Sequence, residues 1–111
     1  MRTWILFLYT IHDPSGADVM QTWLTPTESL EQCRERLPSV RQLVRGNVRD
    51  LAEKYHAGIH FENPDGMCVE EGSEGWNYAV NEIPKKMSCK TTDWPGDEPM
   101  LEGSKAISCV K

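Results

Sequence analysis

The sequence predicts an α+β fold, a single two-layer domain over residues 1–111 with an N-terminal β-hairpin, a kinked helix or helical hairpin, then an antiparallel meander. Three observations predict it. Two runs rich in branched and aromatic residues open the chain, WILFLYTI (4–11) and VMQTWLT (19–25). A stripe of apolar residues at helical spacing follows, from Leu30 to Tyr55. Short apolar runs broken by Gly and Pro turns complete the chain. A chain of 111 residues fits one domain and buries roughly two-thirds of the surface that it exposes unfolded. No metal or disulfide is needed to hold such a core.

The first strand, about residues 3–11, is apolar on both faces and ends at the turn chemistry of HDPSGAD. The second alternates, with Val19, Gln21 and Trp23 on one face and Met20, Thr22 and Leu24 on the other. TPTE (25–28) then carries a helix start. Thr25 caps, Pro26 suits the first helical position, and Glu28 completes a capping box. Leu30, Cys33 and Leu37 share a face until Pro38, which lacks an N–H and clashes with the preceding turn. A second helical stretch, about 39–56, carries Val40, Leu43, Val44, Val48, Leu51, Ala52 and Tyr55 as its apolar stripe. Gly58 is its natural terminator. Strands are expected at 59–62, 67–71, 76–83 and 105–110, and a long surface loop at 90–104.

Charge narrows the function. Residues 1–55 hold seven acids and seven bases, whereas residues 56–111 hold ten acids and five lysines, so the net charge of −5 lies in the second half. Such a half is unsuited to direct nucleic-acid binding, which needs Lys and Arg to displace counterions, and to docking on an anionic membrane. It suits a larger protein partner with a basic surface, such as one that otherwise holds nucleic acid. Arg34, Arg41, Arg45 and Arg49 read as a solvated helix face balanced by Glu31, Glu35, Asp50 and Glu53, or as a basic strip.

Cys33, Cys68, Cys89 and Cys109 show no C-x2-C spacing, and their density is too low for a disulfide scaffold. WILFLYTI reads as a strand better than as a signal peptide, because the apolar run is short and Asp13-Pro14 follows it. A cytoplasmic setting is therefore expected. The alternative is a secreted domain with two disulfides. The sequence gives no indication of oligomeric state.

HAGIHFENPDGMCVEEG (56–72) holds the nearest approach to a chemical constellation. NPDG reads as a turn with a glycine bulge, which sets Glu62 opposite Cys68 and Phe61 opposite Val69. That register gathers His60, Glu62, Cys68 and Glu70 on one sheet face as a candidate metal or thiol site. Side chains on a sheet face point in parallel, however, and do not converge on one ion. His56 and His60 are separated by Gly58, so they do not form a zinc pair on one helix. No phosphate loop, nucleotide fingerprint or GxSxG is present, so no cofactor is implied and the chain is expected to be non-catalytic.

The expected function is that of a small acidic protein-binding module, an accessory or inhibitor of mobile-element or phage type. It would occupy a basic, nucleic-acid-binding surface of its partner. Its candidate contact residues are two tryptophans set among acids. Glu70, Glu71 and Glu74 flank Trp76, and Asp93, Asp97 and Glu98 flank Trp94.

Overall fold

The computed structural model describes residues 2–110. The opening hairpin pairs β1 (Thr3–His12) with β2 (Asp18–Thr27) in unbroken register, from Thr3↔Thr27 to His12↔Asp18. Pro26 and Thr27 therefore belong to a strand, where TPTE suggested a helix start. β2 meets its other neighbour only over Met20–Leu24, so Pro26 lies where one side of the strand is free of ladder bonds. The cap falls on Ser29, whose Oγ accepts from the Gln32 N–H at 3.1 Å. The Gln32 side chain reaches back to the Glu28 N–H at 2.7 Å.

α1 (Leu30–Lys54) is one continuous helix with Pro38 inside it. Pro38 is exposed, so the carbonyl it leaves without an N–H donor faces the outer surface. The opposite face holds the helix together by burying Cys33, Val40, Val44, Val48 and Ala52 against the sheet. The helix ends earlier than Gly58. His56 takes the left-handed conformation at φ 55°, with His56 N–H bonded to Glu53 O and Ala57 N–H to Ala52 O. Those two bonds are the Schellman pattern, and they offset the strain of a non-glycine residue at that position.

β3 (Gly58–Phe61) and β4 (Met67–Glu70) do not form the expected hairpin. Both lie antiparallel to β1, Gly58–Phe61 opposite His12–Tyr9 and Met67–Glu70 opposite Leu6–Thr3. They are two halves of one edge strand with NPDG bulging out between them. Asn63 makes this arrangement possible. Its Oδ1 accepts from the Leu8 N–H at 2.7 Å and its Nδ2 donates to Leu6 O at 3.0 Å. The side-chain amide thus continues the ladder where the backbone has left it. Gly66 returns the chain with φ +73°, and a Cβ there would stand 2.5 Å from Cζ of Phe7. No other residue fits that approach.

Residues expected as a strand at 76–83 are helical. α2 (Glu74–Asn77), a π-helical turn (Tyr78–Glu82) and α3 (Ile83–Lys86) follow without a break, starting from the Ser73 cap. Ala79 and Ile83 are buried, Trp76 and Val80 half-buried and Tyr78 exposed, which is a helical period and not the alternation of a strand. The π turn ends two residues before Pro84, whose missing N–H leaves Val80 without its usual α-helical donor.

β5 (Ser88–Asp93) occupies part of the expected surface loop and pairs with β6 (Lys105–Val110), with a 3-10 turn (Pro99–Leu101) between them. The sheet order is β3-β1-β2-β6-β5, with β4 also on β1. The core divides by sheet face. Ile5, Phe7, Tyr9 and Trp23 pack under α1, and Leu101 plugs the same layer. Trp4, Leu6, Leu24 and Ile107 face the other way, under Ala79 and Ile83. β1 is apolar on both faces because it is covered on both. No helix among the described residues is long and apolar enough to cross a membrane.

Candidate functional site

The proposed constellation at His60, Glu62, Cys68 and Glu70 does not assemble. Because β3 and β4 run end to end along β1, His60 sits opposite Thr10 while Cys68 sits opposite Ile5. His60 Nε2 comes within 3.8 Å of Glu62 Oε1, and both are exposed. Cys68 is no thiol, because it is bonded to Cys33 and ties the edge strand to α1. Cys89 and Cys109, directly opposite on β5 and β6, form the second disulfide. Among the described residues, no three His, Cys, Asp or Glu side chains come together as a metal-ligand set.

His12 Nδ1 lies 2.9 Å from Asp18 Oδ1 across the first hairpin, so the histidine's partner is the opposite residue and not its neighbour Asp13. Hydrogen bonds from Ser15, side chain then backbone, hold the Asp13 carboxyl below its usual range. Burial pushes the Tyr9 phenol above its usual range. The arginine strip is partly absorbed by packing. Arg41 Nε donates to Asp65 O at 2.9 Å, and the Arg45 guanidinium sits 5.8 Å from the centre of the Phe61 ring.

The two tryptophan clusters lie on opposite faces and opposite edges of the sheet. Trp76 is half-buried against Trp4, ring centres 5.2 Å apart. Trp94 is half-buried against Trp23, at 5.3 Å. Each has an aromatic partner within the fold. Of the flanking acids, Glu71 is engaged, since its Oε1 accepts from the Trp4 indole N–H at 3.0 Å. Glu70, Glu74, Asp93, Asp97 and Glu98 are exposed. Among the described residues, no Lys or Arg comes within 4.0 Å of a carboxylate, and both ion pairs involve histidine. Glu70, Glu74, Asp93, Asp97 and Glu98 therefore form no ion pair among the described residues.

One member of the first acidic cluster, Glu74, borders a groove of about 760 Å³ between β1, β4 and the 74–82 helical segment. Leu6, Leu8 and Met67 supply apolar lining, Tyr78 one wall, and Glu74 and Glu82 its charged groups. Among the described residues, no Lys or Arg lines it. Met67 and Tyr78, 42% and 48% exposed, are large apolar surfaces left uncovered beside carboxylates. Sequence reasoning found Glu74 but missed Leu8, Met67, Tyr78 and Glu82. One signal was available. A first strand apolar on both faces demands a second covering layer, and Trp76, Ala79, Val80 and Ile83 have the spacing of a helix able to supply it.

Comparison with protein-family models, with curated proteins and with solved structures finds no match for this chain.

Proposed function

We propose that the chain is a small acidic, non-catalytic protein-binding module that takes a basic, amphipathic segment of a larger protein in the groove between β1, β4 and the 74–82 segment. One observation carries this reading, a groove with apolar lining whose charged side chains, among the described residues, are all carboxylates. Leu8, Met67 and Tyr78 offer area to apolar side chains, while Glu74 and Glu82 attract and orient the basic ones. The partner surface is one that otherwise holds nucleic acid or another polyanion, so occupying it makes the module an accessory or inhibitor, as mobile elements and phages encode. The second cluster, Asp93, Asp97 and Glu98 beside Trp94, adds to the field that steers association.

The pairing of all four cysteines supports an oxidising setting over the cytoplasmic one expected from the N-terminus, since disulfides persist where thiols are not kept reduced. The module and its partner then meet outside a reducing cytoplasm.

A labelled amphipathic peptide of Lys and Leu, with a Glu and Leu counterpart, tests the groove by fluorescence anisotropy. The Lys/Leu peptide should bind saturably and weaken by about tenfold as salt rises from ~50 to ~300 mM. Glu74→Lys with Glu82→Lys should remove that binding, while Glu102→Lys, at an exposed acid outside the groove, should leave most of it. Equal affinity for both peptides, or equal loss in the Glu102→Lys control, would refute the groove as the site.

A further inference from the structure

The face of the sheet opposite the groove carries a cavity of about 430 Å³ where three elements meet. Its origin is a row of side chains across the sheet. Trp23, Ala106 and Thr92 are aligned on β2, β6 and β5, and Ala106 is too small to fill the space that Trp23 begins. α1 roofs the space with Val48 and Leu51, and Trp94 closes the side toward β5. Tyr9 also reaches it from β1, so three aromatic residues from three separate segments line one space. Its size falls in the range of about 300–1,000 Å³ that small-molecule sites occupy.

Two features define what it takes. First, the charged groups around it, two acids and two lysines, sum to zero without forming ion pairs with one another. Asp50 and Lys54 are one turn apart on α1, and Asp93 and Lys105 are opposite residues on β5 and β6. The cavity therefore does not select for net charge, unlike the groove. Second, the indole N–H of Trp94 is buried and has no acceptor in the protein, an arrangement that costs stability and calls for an explanation. The backbone of Gly96 lies against that indole so closely that a Cβ there would stand 2.9 Å from Nε1. The protein itself therefore seals that N–H, and Gly96 is not part of the cavity wall, so a ligand is held there by apolar contact and not by this donor.

We infer that the cavity is a binding site for an uncharged, flat aromatic small molecule, packed against Trp23, Trp94 and Tyr9. The apolar and aromatic walls supply affinity through buried area and ring stacking. This site is independent of the groove and stands or falls separately.

The four tryptophans make the test self-controlled. Their indole N–H resonances report two on this face, Trp23 and Trp94, and two on the other, Trp4 and Trp76. Titration of the disulfide-bonded protein with 2-naphthol should shift the Trp23 and Trp94 signals saturably, with a dissociation constant on the order of 100 μM, and leave Trp4 and Trp76 in place. Ala106→Phe, which fills the floor, should weaken binding at least tenfold with the Trp4 and Trp76 signals unchanged. Leu51→Trp, at a helix position 40% exposed, closes the same space from the roof and serves if the first variant does not fold. No shift at millimolar 2-naphthol, equal shifts of all four indoles, or retained affinity in a folded filling variant overturns the inference. Tenfold tighter binding of 2-naphthylmethylammonium or naphthalene-2-sulfonate than of 2-naphthol overturns it too.

Discussion

Replacing Asn63 should weaken the protein far more than a half-buried polar residue in a loop ordinarily would. Its amide makes two hydrogen bonds to β1, one to each side of the gap between β3 and β4. Asn63→Ala leaves the Leu8 N–H and the Leu6 carbonyl without that partner. At a net worth of ~0.5–1.5 kcal/mol per hydrogen bond, the loss is about 1–3 kcal/mol, with the upper end favoured because both groups are part-buried. Asn63→Asp sharpens the argument. The carboxylate still accepts from Leu8 N–H, but its second oxygen now faces the Leu6 carbonyl, acceptor against acceptor. Protonation restores a donor, so the introduced carboxyl has a raised folded pKa and the variant should regain stability as pH falls through that value. Urea unfolding followed by tryptophan fluorescence, at pH 7 and near pH 4, reads both effects as shifts in midpoint at constant slope. If both variants stay within ~0.5 kcal/mol of the parent at pH 7, or if Asn63→Asp gains nothing relative to Asn63→Ala on acidification, the side chain is not part of the ladder.

Two further predictions concern the same framework. The Cys33–Cys68 bond spans 35 residues and the Cys89–Cys109 bond spans 20, so loop-closure entropy gives about 3.8 and 3.3 kcal/mol respectively. The loops do not overlap, and losing both removes a large share of the ~5–15 kcal/mol that holds a domain together. Reductant should therefore lower the urea midpoint steeply, whereas an unchanged midpoint with four free thiols would show the bonds to be dispensable. Gly66→Ala should cost more than about 2 kcal/mol, through a left-handed backbone and a methyl driven into the Phe7 ring. Gly72→Ala, at a left-handed glycine with open space around it, separates the two causes by paying only the backbone part.

The elements defined by local contacts were readable from the chain. WILFLYTI, VMQTWLT and the Leu30-to-Tyr55 stripe form the hairpin and the long helix, because periodicity records which side of an element is buried. Where local chemistry was ambiguous, neighbours distant in sequence decided. TPTE is a sound helix start until Trp4 and Thr3 pair with Pro26 and Thr27 and hold them in a strand. NPDG is a sound hairpin turn until β1 offers both flanking segments a ladder of their own, with Asn63 bridging the gap. Trp76, Tyr78 and Val80 alternate like a strand, yet the uncovered face of β1 needs a helix.

The same division holds for function. Composition alone determined the acidic second half and the lack of any recognised catalytic motif. Only the tertiary structure decided which cysteines meet, that the tryptophans lie on opposite faces, and that a groove lined by carboxylates and an aromatic cavity stand back to back across one sheet. The physical reason is that an element's periodicity records how it is buried but not what buries it. Grooves and cavities are made by residues far apart in sequence, and the spacing between such residues leaves no trace along the chain.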